Sequence, residues 1–135
     1  MRLRAVLAGL IMPSLALGSS GPALAATVVH ASLQDPSDPG VAAMHIALDR
    51  DRVPAGKVTF CTVNQSKNLV HELIVVRVDS PQAALPYDEK KQEVVEKRIA
   101  HLGEVSDLKP GQYLLICNQP GHYKAGMSAP FTVRP

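Results

Sequence analysis

Six short runs of β-branched or alternating apolar residues, set at regular intervals and separated by Gly, Pro, Asn and Asp, constrain this chain more than any other feature. Residues 28–33 form the first and end in DPSDPG (35–40). Met44, Ile46 and Leu48 alternate with His45 and Ala47, and DRDRVPAG (49–56) turns the chain into KVTFCTV (57–63). NQSKN then precedes VHELIVVRV (70–78), LKPG precedes QYLLIC (112–117), and APFTVRP (129–135) is the last. Period-two alternation buries one face of a strand, and turn residues at this spacing predict an all-β sandwich or barrel. VHELIVVRV, the longest apolar run, is predicted to be a central strand. One segment departs from strand character. In YDEKKQEVVEKRIAHLG (87–103), Val95, Ile99 and Leu102 stand at i, i+4 and i+7 opposite a charged face carrying Glu93 and Lys97, which predicts one inserted amphipathic helix. Gly103 is its expected C-cap, with His101 in the last turn.

Ahead of the first strand, Arg2 and Arg4 precede an apolar stretch from Ala5 to Leu17, followed by small residues and the A-x-A triplet Ala23, Leu24, Ala25. This pattern predicts an export signal over 1–25 and one domain over 26–135, placed in the periplasm or secreted. The apolar stretch is too short to span a bilayer and contains Pro13, so no stable membrane anchor is expected. Cleavage would remove two of the 14 basic residues and none of the 12 acidic ones, leaving a formal charge of zero. The basic balance of the whole chain therefore gives no argument for a nucleic-acid partner. With no Trp, two Phe and three Tyr, the core must be mainly Val, Leu, Ile and Ala.

In CNQPGHYKAGM (117–127), Cys117, His122 and Met127 follow one another at five-residue steps. A loop rich in Gly and Pro can fold all three donors back to one end of a sandwich. His71 offers a fourth donor, because it starts the long run directly after a turn and so stands at a strand end. His30 and His45 read as surface residues, and Met44 as facing the core. Two imidazoles, a thiolate and a thioether suit copper, with His2Cys and a weak axial Met as an electron-transfer site. Structural zinc sites rarely use Met, and iron-sulfur clusters need more cysteines. An exported chain with two cysteines also admits a Cys61 to Cys117 disulfide. Cys61, within FCTV, reads more simply as a small core residue.

His71 in VHELIVV, G-x-Y-x-x-x-C from Gly111 to Cys117, the C-x4-H-x4-M loop and the VPAGKVTF stretch together resemble the cupredoxins, the small blue copper proteins of the plastocyanin and azurin type. The resemblance implies a Greek-key β-sandwich and one copper ion, cycling between Cu(II) and Cu(I), held by His71, Cys117, His122 and Met127. It implies a monomeric, non-enzymatic carrier of single electrons that docks a redox partner transiently near His122. The alternative is a copper chaperone or resistance protein, although the chain after residue 25 has only Met44 and Met127 as thioethers. Copper enzymes with such domains add a centre built on His pairs, and no H-x-H or H-C-H occurs here. The short GEVSDLKPG segment truncates one strand expected of the family. Glu72 replaces the Asn common after the first histidine, so the hydrogen bonding at the sulfur does not carry over, and Asn118 is the residue placed to supply some of it.

Overall fold

The computed structural model describes residues 25–95, 99–100 and 106–135. The expected export signal lies outside them, except for Ala25. Eleven strands are described: β1 (Thr27–Gln34), β2 (His45–Leu48), β3 (Arg52–Pro54), β4 (Gly56–Asn64), β5 (Ile74–Val78), β6 (Tyr87–Asp88), β7 (Glu93–Val94), β8 (Ile99–Ala100), β9 (Ser106–Leu108), β10 (Gly111–Ile116) and β11 (Ser128–Arg134). They form one sheet in the order β2-β1-β4-β9, a second in the order β3-β11-β10-β5-β8, and the small hairpin β6-β7. The β1/β4 and β11/β3 pairs are parallel and the rest antiparallel. No helix among the described residues is long and apolar enough to cross a membrane.

The alternation in the sequence decides which side chains meet between the sheets. On β1, Val29, Ala31 and Leu33 point inward, and on β4 Val58 and Phe60 do the same. They join Val75, Tyr113, Leu115, Phe131 and Val133 of the second sheet in one core. Phe60 and Phe131 meet edge to face across it, ring centroids 5.4 Å apart. Each such side chain contributes about 1.5–3 kcal/mol when fully buried. The same parity overturns the core assignment of Cys61. With Val58 and Phe60 turned inward, Cys61 must face outward, and it is exposed.

The two central strands of the second sheet lack this alternation because both of their faces are covered. Leu73, Val75, Tyr113 and Leu115 enter the main core, while Ile74, Val76, Val78, Leu114 and Ile116 pack under Leu85, Val94 and Tyr87 in a second cluster. Continuous apolar runs are what a sheet covered on both faces requires.

The cover over that outer face is also where the predicted helix fails. Among the described residues of 87–103, Tyr87 pairs with Val94, Asp88 with Glu93, and Val76 and Val75 with Ile99 and Ala100. A helix would have turned Val95 inward; instead Val94 is buried and Val95 is exposed. Hydrogen bonding to neighbouring elements has overridden the local helical pattern. The predicted strand over 70–78 is shorter as well, since β5 begins at Ile74. Residues 70–73 serve the site described next. GEVSDLKPG does supply a strand, the three residues of β9.

Candidate metal centre

On β10 the odd-numbered residues Tyr113 and Leu115 point into the main core, and Cys117, one residue past the strand end, keeps that parity. Its thiol is therefore delivered to the end of the core and is fully buried. Cys61 and Cys117 are both free, so no bridge joins them. The backbone of Cys117 donates to the Met127 carbonyl, 3.1 Å, and the amide of Met127 donates to the His122 carbonyl, 3.0 Å. These bonds close the ten-residue excursion into a compact loop. His122 N also donates to Gln119 O and Ala125 N to Gly121 O, both at 3.0 Å. The reversal uses left-handed backbone at Gly121 (φ +82°) and Gly126 (φ +97°), where a side chain would be strained. Met127 is fully buried in the same core as Cys117. His122 remains half-buried at the surface.

His71 reaches the loop from the other side. Just before β5 the chain turns the His71 ring inward, where its side chain is fully buried, and leaves Val70 71% exposed. The next amide, Glu72 N, points at the Cys117 sulfur at 3.4 Å. It takes the role anticipated for Asn118. The Asn118 side chain turns away and grips Val94, accepting from Val94 N at 2.6 Å and donating to Val94 O at 3.1 Å. Gly121 N donates to Gln92 O, 2.8 Å, and Lys124 pairs with Glu89, so the β6-β7 hairpin and the loop are tied at three places.

Three of the anticipated donors converge. His71 Nδ1 and His122 Nδ1 are 3.1 Å apart, and the Cys117 sulfur lies 3.3 Å from His122 Nδ1 and 4.0 Å from His71 Nδ1. A triangle with these sides has a circumradius of about 2 Å, so one point stands at metal–imidazole distance (about 2.0–2.1 Å) from all three and slightly inside metal–thiolate distance (about 2.3 Å). A single ion fits there with small adjustment at the sulfur. Burial pushes the Cys117 thiol above its ordinary pKa of 9.0, against the opposing pull of the Glu72 and Gln119 amides. Burial, and then the neighbouring His71, hold the His122 imidazole below its ordinary value of 6.5. Two imidazoles and a buried thiol, with a buried thioether on the same loop, form a soft donor set that fits copper and offers nothing to a hard cation.

The architecture carrying these donors has solved counterparts. The copper protein rusticyanin superposes with a TM-score of 0.56 at 19% identity, covering 79% of this chain and 76% of that one. A reduced rusticyanin gives 0.55 at 20%, covering 79% and 78%, and rusticyanin from Thiobacillus ferrooxidans 0.55 at 19%, covering 79% and 76%. The fold is that of the cupredoxins. No protein-family model matches the chain, and no curated protein sequence does.

One feature of the site has no local signal in the sequence. Asp35, a turn residue by its place in DPSDPG, is 1% exposed, and its Oδ2 lies 3.1 Å from His71 Nε2. The Ser37 amide, 2.8 Å, and the Ser37 hydroxyl both donate to Oδ1. Bonding from the Ser37 hydroxyl, followed by Ser66, holds the Asp35 carboxyl well below the usual carboxylate range. DPSDPG by itself signals a turn; only the position of His71, far along the chain, reveals a carboxylate behind a candidate donor.

Proposed function

We infer that the protein is an extracytoplasmic type 1 copper protein that carries single electrons, with His71, Cys117, His122 and Met127 as its ligands. The convergence of the two Nδ1 atoms and the sulfur on one point supports this reading more than any other observation. When bound there, copper would supply a one-electron couple between Cu(II) and Cu(I). The chain holds the donors where both states are tolerated. His71 is held from the β5 side and the others lie on one loop closed by backbone hydrogen bonds, so little rearrangement accompanies a change of charge.

Burial argues for a resident ion over one that is handed on. Cys117 and Met127 are fully buried and so is the His71 side chain, which keeps water and competing chelators from three of the four donors. His122 is the donor that reaches the surface, and it is the natural exit for an electron. Around it lie Pro120, Ala125 and Gly126, all exposed, with the exposed Val70 preceding His71. A small apolar rim of this kind suits a weak and transient partner.

The test is the visible absorption and electron paramagnetic resonance of the purified protein with one equivalent of Cu(II), beside Cys117→Ser. An intense thiolate-to-copper band with narrow hyperfine splitting, lost in the variant, is expected. A colourless protein that binds only Cu(I) and yields it rapidly to an acceptor would replace this reading with copper delivery. Ala125→Asp should slow electron exchange with the partner while leaving the spectrum intact. Sequencing the amino terminus of exported protein checks cleavage after Ala25.

A further inference from the structure

A carboxylate buried in a protein core carries a desolvation cost unless something nearby uses it. Asp35 is such a group, just past the end of β1, and its one long-range side-chain contact at hydrogen-bonding distance among the ligands is His71. An ionised carboxylate has only acceptors, so Nε2 must be the donor in this contact, and a neutral His71 ring then has no proton on Nδ1. Nδ1 is the atom that faces Cys117 and His122. The loop is also built around the carboxylate. Its two oxygens are shared among Ser37, Ser66 and His71, while Asp35 N donates to Asp38 Oδ2 at 3.0 Å and Asp38 N to Asp35 O at 2.9 Å. Asp38 is itself buried. DPSDPG thus holds Asp35 from the backbone and from Oδ1, with Oδ2 facing His71.

We propose that Asp35 is a positioning residue for the metal centre: its carboxylate accepts a hydrogen bond from the Nε2–H of His71 and so aims the Nδ1 lone pair at the point shared by the Cys117 sulfur and His122 Nδ1. This rests on the copper reading only for the identity of the ion. Outer partners of this kind raise ligand basicity and fix ring orientation, and losing one typically costs about 10–100-fold in metal affinity. The negative charge of Asp35, one ring away from the ion, favours the more positive state. Removing it should weaken Cu(II) binding more than Cu(I) binding and raise the reduction potential; each tenfold difference between the two is about 59 mV for one electron.

The first measurement is the tautomer of His71 in the copper-free wild-type protein, from long-range 15N–1H correlations. It needs neither copper nor a variant, so it stands even if the electron-transfer reading fails. Nε2–H is expected, and a His71 protonated on Nδ1 instead would overturn the proposal. The second is Asp35→Asn, which keeps the shape and an oxygen but loses the charge. A mixed His71 tautomer, about 10–100-fold weaker Cu(II) binding and a raised potential are expected. A variant that loses stability but keeps the tautomer, the Cu(II) affinity and the potential of the wild type would reduce Asp35 to a tie between loops and overturn the proposal. If Asp35→Asn does not fold, the wild-type tautomer decides.

Discussion

Replacing Asn118 by Ala isolates what secures the ligand loop. Its side chain makes two bonds to one residue, Val94 N to Oδ1 at 2.6 Å and Nδ2 to Val94 O at 3.1 Å, and so imitates a strand partner for β7. Val94 is 4% exposed, so its amide and carbonyl gain little from water once Asn118 is gone. Two net hydrogen bonds at about 0.5–1.5 kcal/mol each, with part of the larger penalty for stranded backbone groups, give a loss of about 2–3 kcal/mol. At about 5 °C per kcal/mol for a domain of this size, the melting temperature should fall by about 10–15 °C. Urea unfolding of the copper-free protein measures the loss, and hydrogen exchange at the Val94 amide locates it. Asn118→Asp separates the two bonds, because it keeps an acceptor for Val94 N while setting a carboxylate against Val94 O. Exchange protection at Val94 should survive in the Asp variant and vanish in the Ala variant. A loss below about 0.5 kcal/mol with Val94 protection unchanged would refute the idea that Asn118 anchors the loop.

Two further predictions concern the same loop. At Gly126 a Cβ would have room, its nearest heavy atom being Met44 O at 3.6 Å, so Gly126→Ala should cost only the left-handed backbone penalty of about 1–2 kcal/mol at φ +97°; an unchanged urea midpoint would mean the loop can turn without it. Because burial raises the Cys117 thiol above 9.0 while His122 is held below 6.5, copper binding at pH 7 should displace a proton from Cys117 and none from His122, and affinity should climb as the pH rises through neutrality. Titration in two buffers of different ionisation enthalpy reads that proton, and uptake without proton release would contradict a thiol ligand.

The features legible in the sequence were those whose cause is local. Alternation at Met44, Ile46 and Leu48 or at Val58 and Phe60 follows from strand geometry alone, and the runs around Val75 and Leu115 mark strands covered on both faces. Cys117, His122 and Met127 share one loop, so their spacing carries their proximity. The errors arose where distant parts of the chain decide. Val95, Ile99 and Leu102 satisfy a helical period, yet Asn118 holds Val94, and β5 takes up the backbone of residues 99–100. FCTV on its own places Cys61 in the core, whereas the inward parity of Phe60 turns it to solvent. Chain adjacency places Asn118 beside the sulfur, whereas the Glu72 amide holds that place.

The sequence by itself therefore determined a chain built of strands and the closeness of Cys117, His122 and Met127 on one loop, because strand parity and loop closure depend on neighbours in the chain. Only the tertiary structure decided how His71 is aimed, what hydrogen-bonds to the sulfur and which carboxylate stands behind the ring. Those depend on the packing of β1, β5 and β10 at one end of the core, and the distances that govern hydrogen bonds and metal ligation are set there, between residues that the chain itself keeps far apart.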